Sequence, residues 1–373
     1  MGMHYGRFGN MQKEFAKIFK GKTVLVTGHT GFIGTWMSLW LSLLGSKVIG
    51  FSDSIPTNPS MFETIHVQND IHHIIGDVNN ISQIRSIIKK RKPDIIIHLA
   101  AQSLVRESYS DPSKTFQTNV IGTLNVLESI RNSSVKSCII MTSDKCYLNK
   151  NLGRAFIEND PLGGNDPYSA SKGAAELVTH AYRNSFFKQN NVGIATIRAG
   201  NVFGGGDWAK DRLIPDCIRS LILGKKIMIR NPNSIRPWQF VLEPISGIFY
   251  LLEKLNKNPN QFSEAWNFGP NISSKKLRVG ELVTNVINEW GEGKWMKDSK
   301  SNKYHEANSL MLNSSKAKRL LNWKPIYTIN ESTAETVEWY HKYRENKEDM
   351  KEFTIKQIMR YVTKAENMNN RTN

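Results

Sequence analysis

The sequence predicts an α/β protein with a doubly wound parallel sheet and a smaller C-terminal lobe. Three observations favour this fold class. Short apolar strands alternate with helical segments from Lys22 to Arg198, a pattern typical of a parallel sheet covered by helices on both faces. A glycine-rich turn follows the first strand. Polar residues stand at the ends of later strands, at the sheet edge where such folds bind their ligands.

The alternation can be followed element by element. Each predicted strand is a short aliphatic run bounded by charged or turn-forming residues. The predicted strands cover residues 23–27, 47–51, 74–75, 95–99, 137–141 and 192–197. Helical spacing of apolar residues, with glycine or proline at several ends, predicts helices over residues 32–44, 81–90, 112–131 and 167–189.

Composition limits the possible partners. The chain has 373 residues, of which 39% are apolar, and a formal net charge of +17 that favours a phosphate-bearing substrate. The basic residues are scattered along the chain, so nucleic-acid binding is not expected. No stretch is apolar enough for a membrane span or a signal peptide, and the three cysteines predict neither a disulfide framework nor a metal site. We therefore expect a cytoplasmic protein.

The glycine-rich turn predicts a dinucleotide-binding site. It follows a strand and opens a helix, so its backbone can approach a pyrophosphate and the helix N-terminus can supply free N–H groups. The spacing is G-x-x-G-x-x-G. The predicted contact residues of the turn are Gly28, Thr30, Gly31, Phe32, Ile33 and Gly34.

The end of the second strand is expected to hold the adenosine ribose. Asp53 lies one residue later than the usual acidic position, so Ser52 can take that place. No arginine stands there to meet a 2′-phosphate, which favours NAD over NADP. Asp77 ends the next strand and either reaches the adenine or only forms a turn.

A Y-x-x-x-K pattern lies just inside the helix that Asp166-Pro167 begins. Tyr168 and Lys172 share a helix face, and an ammonium beside a phenol favours the phenolate. The tyrosine can therefore act as a base near neutral pH. Ser143 ends the strand before this helix and could hydrogen-bond the same substrate hydroxyl.

These features divide the chain into four predicted parts. Residues 1–21 are an N-terminal extension with a short helix, and residues 22–199 form an NAD-binding domain of the Rossmann type. Residues 200–345 form mainly a substrate-binding lobe, with some segments that return to the first domain. Residues 346–373 are polar and basic, and predict a solvated helix or a frayed tail.

The motifs together resemble the extended short-chain dehydrogenase/reductases and, more closely, the CDP-glucose 4,6-dehydratase family. The resemblance covers residues 22–325 and rests on long ordered motifs, among them VTGHTGFIGTW, HLAAQSLVRESYSDP, TSDKCY, ENDPLGGNDPYSASKGAAELV, RAGNVFGGGDWAKDRLIPD, IRNPNSIRPWQFVLEP and AWNFGP. It implies bound NAD and a homodimer, or a dimer of dimers, formed through the two long helices. It adds to the cofactor site Val78, Leu99, Ala100, Ala101, Gln102 and Asn119.

The resemblance implies a redox-neutral dehydration of CDP-glucose to a 4-keto-6-deoxy sugar, a precursor of deoxysugars in surface polysaccharides. Tyr168 would take the C4 hydroxyl proton while Ser143 holds that hydroxyl. Asp144 would protonate the departing C6 hydroxyl, and Lys145 would take the C5 proton. Related dTDP-glucose dehydratases carry glutamate where Lys145 stands. Lys145 either is the base, and must then be neutral for part of the cycle, or only stabilises the enolate electrostatically.

The same motifs suggest substrate contacts. The planar guanidinium of Arg236 suits a diphosphate, and Trp238 is expected to pack rather than to stack on a base. Phe240 replaces a histidine common in the family, which leaves one nucleotide contact open. The candidate substrate residues are Ser103, Arg106, Asn201, Leu213, Ile214, Arg230, Arg236 and Trp238. The alternatives are a dehydratase or epimerase of another nucleotide sugar, and a non-catalytic NAD-binding or RNA-associated protein.

Overall fold

A single seven-stranded parallel sheet organises the computed structural model, which describes residues 10–150, 153–271, 276–298 and 309–370. The strand order is β10-β6-β5-β4-β1-β2-β3. The strands are β1 (Thr23–Thr27), β2 (Lys47–Ser52), β3 (His72–Ile75), β4 (Ile95–His98), β5 (Ser137–Met141), β6 (Gly193–Ala199) and β10 (Ala265–Phe268). The predicted fold class, a doubly wound parallel α/β sheet, is confirmed.

Two short parallel pairs lie outside this sheet, in the segment expected to form the C-terminal lobe. The pairs are β7 (Val202–Phe203) with β9 (Gln239–Phe240), and β8 (Ile227–Ile229) with β11 (Trp295–Lys297). Because β10 pairs with β6, part of the chain after residue 200 returns to the central sheet.

Helices follow most strands of the sheet and build the lobe. Their bounds are α1 (Asn10–Phe19), α2 (Phe32–Leu43), α3 (Met61–Thr64), α4 (Ile81–Arg91), α5 (Val105–Ser110), α6 (Pro112–Phe116), α7 (Gly122–Ile130), α8 (Pro167–Tyr182), α9 (Leu213–Ile222), α10 (Leu242–Lys257), α11 (Pro259–Phe262), α12 (Val279–Trp290), α13 (Ser315–Leu321), α14 (Ile329–Glu345) and α15 (Met350–Asn370). A π-helical turn, Gln117–Ile121, joins α6 to α7. Across the described ranges, no helix is both long and apolar enough to cross a membrane.

Side chains of the central strands β1, β4 and β5 alternate between two apolar cores, as the pleat requires. Leu25 of β1 packs in a core with residues of α4 and α7. Its neighbours Val24 and Val26 face a larger core with residues of α2 and α10. This double burial explains why the strands are continuous apolar runs rather than alternating ones.

The C-terminal segment was predicted to be a solvated helix or a frayed tail. Its described part is a helix, but the expected solvation is wrong because one face is buried. Helix α15 buries Phe353, Ile358, Tyr361 and Val362 in the same core as Phe15 of α1. The charged residues of α15 cover its outer face, so its polar composition concealed an apolar stripe at helical spacing. Helices α1 and α15 therefore both pack onto the domain between them.

Candidate active site

One cavity of about 1080 Å³ lies at the carboxyl ends of the central strands. It brings together residues from both predicted parts of the chain, 22–199 and 200–345. Of the predicted site residues, its lining includes Gly28, Thr30, Gly31, Phe32, Ile33, Gly34, Ser52, Asp53, Asp77, Val78, Leu99, Ala100, Ala101, Gln102, Ser103, Arg106, Ser143, Asp144, Lys145, Tyr168, Lys172, Asn201, Leu213, Ile214, Arg230, Arg236 and Trp238. Asn119 is the one predicted site residue that does not line this cavity.

The glycine turn between β1 and α2 needs its glycines for different reasons. Gly28 has a φ of +73°, and a Cβ there would lie 2.6 Å from the backbone nitrogen of Ala100. A Cβ on Gly34 would lie 2.1 Å from the Gly28 carbonyl oxygen. Gly31, the N-cap of α2, would meet only one protein atom, at 3.3 Å. The first and last glycines thus allow the chain to close on itself, whereas the middle one leaves backbone open to the cavity.

The end of β2 is held by a histidine from the glycine turn. The Ser52 hydroxyl lies 2.8 Å from His29 Nδ1, and His29 Nε2 lies 2.6 Å from His73 Nδ1. Burial and the neighbouring His73 lower the pKa of His29 to about 3, so this ring is neutral. Ser52 is buried whereas Asp53 is exposed at the cavity. His29 is a positioning residue that the sequence reading did not identify.

Asp77 lines the cavity and also forms a turn. Its Oδ1 accepts hydrogen bonds from the backbone and side-chain nitrogens of Asn79, at 2.8 and 3.0 Å. The carboxylate is exposed at the end of β3. Its contact with an adenine stays a prediction.

The prediction that Asn119 contacts the cofactor needs correction. This residue lies in the π-helical turn, is buried and does not line the cavity. Its side chain accepts a hydrogen bond from Gln102 N at 2.9 Å and donates to Ser171 Oγ at 2.9 Å. Asn119 therefore ties the loop after β4 to helix α8 and acts on the cavity through those neighbours.

The segment after β5 presents the three polar residues of the predicted catalytic triplet. Ser143 caps a 3₁₀ turn, Asp144–Cys146, by accepting a hydrogen bond from Lys145 N, and donates to Asp144 Oδ1 at 3.0 Å. Lys145 Nζ lies 3.4 Å from the same Asp144 oxygen. Asp144 is buried, and its Oδ2 has no hydrogen-bond partner among the described residues. One carboxylate oxygen is therefore engaged and the other is left for a ligand.

Tyr168 and Lys172 lie on one face of α8, but their electrostatics differ from the expectation. Burial raises the pKa of Tyr168 to about 12, although a hydrogen bond with Ser143 opposes this shift. Burial also lowers the pKa of Lys172 to about 8. Lys172 Nζ lies 6.0 Å from the tyrosine ring centre and donates to the Met141 carbonyl at 3.3 Å. The protein's own residues therefore do not favour the phenolate.

Arginines surround the other half of the cavity. Arg106 pairs with Asp211 at 3.0 Å, and Arg212 bonds both Asp207 at 3.2 Å and Ser103 at 2.9 Å. Arg212 lines the cavity and was not predicted from the sequence. Arg212 lies in the AKDRLIPD motif and is the N-cap of the largely apolar helix α9. A charged residue at that position was the signal by which the sequence could have identified it. The Ser103 and Asp211 contacts join the loop after β4 to the lobe.

Two aromatic residues of the RPWQF segment have different environments. Trp238 lines the cavity and packs edge to face against Phe203. Phe240 is fully buried between Trp36 and Tyr327 and does not line this cavity. The histidine-to-phenylalanine difference therefore affects the core behind the site.

Asn201 faces the cavity with an Oδ1 that has no hydrogen-bond partner among the described residues.

The comparisons with known proteins agree with this geometry. Residues 25–336 match the model of the family described as GDP-mannose 4,6 dehydratase. The chain belongs to that family of nucleotide-sugar dehydratases. A CDP-glucose 4,6-dehydratase of Salmonella typhimurium is 45% identical over 352 residues, which cover 92% of this chain and 97% of that protein.

Solved structures show the same fold. A dTDP-glucose 4,6-dehydratase from Bacillus anthracis, crystallised with NAD, is 26% identical with a TM-score of 0.71 over 87% of this chain and 98% of the other. The epimerase Mth375 from Methanothermobacter thermautotrophicus is 25% identical with a TM-score of 0.77 over 91% of this chain and 98% of the other. Dehydratases and epimerases therefore share this architecture, and the side chains in the cavity must distinguish them.

Proposed function

We propose that the chain is a CDP-glucose 4,6-dehydratase, which converts CDP-D-glucose to CDP-4-keto-6-deoxy-D-glucose and water. The observation that carries this proposal is the Asp144–Lys145 pair, which lies in the cavity beside Ser143 and Tyr168. An epimerase returns its substrate at the same hydration level and needs no acid to expel water. The Salmonella relative, which aligns with nearly the whole chain, supports CDP-glucose as the substrate.

The residues of the cavity fit an NAD molecule. The open backbone at Gly31 and the N-terminus of α2 would hold the pyrophosphate, and Ser52 with Asp53 would hold the adenosine ribose. Tyr168 and Lys172 would face the nicotinamide half. When bound, NAD accepts a hydride from C4 of the sugar and later returns it to C6, and its positive nicotinamide charge favours the phenolate of Tyr168.

The first step is oxidation at C4. Ser143 holds the C4 hydroxyl, and Tyr168 takes its proton. Because burial raises the pKa of Tyr168 to about 12, this base depends on the positive charge that the bound cofactor would supply. The new ketone makes the C5 hydrogen acidic, which prepares the second step.

The second step is elimination across C5 and C6. Asp144 must carry a proton to release the C6 hydroxyl as water, and Lys145 must lack one to accept the C5 hydrogen. Lys145 Nζ and Asp144 Oδ1 lie 3.4 Å apart, so the proposed base and acid stand side by side at the cavity. Lys145 would then return a proton to C5, and C6 would become the methyl group of the product.

The arginines of the cavity supply diphosphate recognition. Arg236 lines the cavity beside Trp238, and Arg230 lies on the same segment of the lobe. A planar guanidinium can bond two phosphate oxygens at once. We assign the diphosphate to Arg236 and Arg230, and the sugar side to Asn201, whose Oδ1 faces the cavity.

A homodimer and a cytoplasmic location are part of this proposal. The run formed by α6, the π turn and α7 packs against α8 and exposes Phe116 and Ile121, and α8 exposes Leu177. These apolar side chains favour a partner helix pair from a second copy. The three cysteines are buried and unpaired, which suits a reducing compartment.

Incubation with nucleotide sugars tests the function. We expect CDP-glucose to give a 4-ketosugar, read by its ultraviolet absorbance in alkali, and dTDP-, GDP- and UDP-glucose to react far more slowly. Mass spectrometry of the product should show the loss of one water. A keto product from another nucleotide sugar alone would contradict the substrate, and a change at C4 without water loss would favour an epimerase.

A further inference from the structure

A buried ion pair lies beneath the strand tip that carries Ser143, Asp144 and Lys145. Glu176 of α8 and Arg198 of β6 are 2.9 Å apart, and each side chain is only 4% exposed. Neither residue lines the cavity. Arg198 keeps the pKa of Glu176 below its ordinary value despite the burial, so the pair is ionised.

The pair holds the residues on both sides of the catalytic triplet. Thr142, which precedes Ser143, donates from its hydroxyl to Glu176 Oε1 at 2.5 Å. Tyr147, which follows Cys146, accepts from the Arg198 guanidinium at 2.8 Å and donates to Asn267 Oδ1 at 2.7 Å. The chain between these two anchors is the segment that contains Asp144 and Lys145.

Stability alone does not account for this arrangement. Removing two charges from water is costly, and buried ion pairs are often no more stabilising than apolar residues of similar size. Here the remaining polar atoms of Glu176 are also engaged, because Thr196 donates to its second oxygen at 2.8 Å. The ion pair thus hydrogen-bonds to Thr142 at one end of the segment and to Tyr147 at the other.

The position of the turn Asp144–Cys146 depends most on the two anchors, Thr142 and Tyr147. The backbone of Thr142 is still fixed to the sheet through a hydrogen bond from its nitrogen to the Ile197 carbonyl at 2.9 Å, which holds the approach to Ser143. Asp144, Lys145 and Cys146 form a single 3₁₀ turn outside the sheet ladder. Loss of one anchor should therefore displace Asp144 and Lys145 more than Ser143.

We propose that Glu176 and Arg198 are positioning residues for the elimination step, acting through Thr142 and Tyr147. They touch neither substrate nor cofactor, and they set the places of Asp144 and Lys145 relative to C5 and C6 of the sugar. The proposal rests on the dehydratase function proposed above. General acid–base catalysis requires hydrogen-bond reach to the transferred proton, so a small displacement slows this step.

Two substitutions that each remove one hydroxyl test the proposal. Thr142→Val deletes the hydroxyl's bonds to Glu176 and to the Ile197 carbonyl, and Tyr147→Phe deletes the bonds to Arg198 and Asn267. In single turnovers with CDP-glucose, we expect cofactor reduction to stay within about two-fold of the unchanged protein, whereas entry of solvent deuterium at C5 and water loss slow by about ten-fold or more. Thr142→Ser, which restores the hydroxyl, should recover the elimination rate.

Matched controls separate positioning from general loss of stability. Thr179→Val removes a fully buried hydroxyl of α8 that bonds only the Ala175 carbonyl, and Tyr361→Phe removes a buried phenol far along the chain. Both control variants should lower the melting temperature about as much as Thr142→Val and Tyr147→Phe do. They should not change the ratio between the rates of cofactor reduction and elimination. If Thr142→Val and Tyr147→Phe match these controls, or slow both steps equally, the positioning proposal is overturned. An unchanged protein that makes no keto product from CDP-glucose would instead overturn the proposed function.

Discussion

At the scale of single residues, Asp144 and Lys145 share one contact but have opposite proton requirements. Asp144 has one oxygen bonded by Ser143 and Lys145, and another with no partner among the described residues. Lys145 is partly exposed to the cavity, at 28% of its side chain. The two roles can be separated, because C5 exchange needs only the base and water loss needs the acid as well.

Lys145→Ala removes the proposed base. Oxidation at C4 should continue because Ser143, Tyr168 and Lys172 are unchanged, and the near-ultraviolet absorbance of the reduced cofactor should rise in a single turnover. Solvent deuterium should enter C5 at least about 100-fold more slowly. Lys150→Ala, a change at an exposed nearby lysine, should behave like the unchanged protein. Normal C5 exchange in Lys145→Ala would leave Lys145 as an electrostatic stabiliser of the enolate.

Asp144→Asn keeps the shape of the side chain and removes its proton-donating group. We expect C5 exchange to persist, since the Lys145 amine is still present, while water loss slows by about 100-fold or more because no acid protonates the C6 hydroxyl. Nuclear magnetic resonance of the recovered sugar measures both events in the same sample. Equal loss of exchange and water release would indicate that Asp144 also orients the base.

The residues of this site differ in how far the sequence could predict them. Tyr168 and Lys172 are separated by one helical turn, and Ser143 ends a recognisable strand, so local spacing is informative. Glu176 and Arg198 meet across more than twenty residues of chain, and no local pattern predicts their contact. The available signal was a charged residue, Arg198, inside the otherwise apolar strand β6, because a charge buried in a strand requires a partner.

At the scale of elements, the strands β1 and β5 have the bounds that the sequence predicted, and helices α2 and α4 agree within one residue. Helix α8 ends at Tyr182 rather than at residue 189, and a π turn, Arg183–Phe187, continues it. The π turn inside the predicted helix 112–131 was not predictable, because wide turns depend on tertiary contacts such as those of Asn119. Helix α15 was expected to be solvated because composition was judged without helical spacing. Besides its apolar stripe, this helix makes a buried polar contact that only the structure reveals.

That contact joins α10 to α15. Glu243 of α10 accepts hydrogen bonds from the backbone nitrogens of Ile326 and Tyr327, at 2.9 and 2.8 Å, and from the Tyr361 hydroxyl at 2.8 Å. Burial raises the pKa of this carboxyl from 4.5 to about 7. A folded-state pKa above the unfolded value means that the stabilising contribution is complete below 4.5 and is lost as the pH rises through about 7.

Glu243→Gln should therefore change how stability depends on pH. Glutamine keeps a carbonyl acceptor for the two backbone nitrogens and does not ionise. We expect the melting temperature of the variant, relative to the unchanged protein, to rise by a few degrees between about pH 5 and about pH 8. Glu345→Gln, a change at an exposed carboxylate of α14 that pairs with Lys342 of the same helix, should leave that difference flat. A constant difference for Glu243→Gln would mean that this carboxyl is already ionised in the fold.

At the scale of the whole molecule, one helix serves both the site and the proposed subunit contact. Helix α8 directs Tyr168, Lys172 and Glu176 inward, where all three are buried. Its outer face exposes Leu177 at 60%, and the neighbouring helical run exposes Ile121 at 44%. A second copy that covers this outer face would restrain the helix that carries the proposed base. Subunit association and activity should then be coupled.

The variant Leu177→Glu tests this coupling. A charge in the centre of the proposed contact would have to be desolvated without a partner, so we expect light scattering to give half the mass of the unchanged protein. Activity should fall several-fold because α8 loses its outer support, and it should recover at high protein concentration. Leu223→Glu, a change at an equally exposed leucine at the end of α9, should alter neither mass nor activity. An unchanged mass for Leu177→Glu would exclude α8 from the subunit contact, whereas a lower mass with full activity would show that each subunit orders its own catalytic helix.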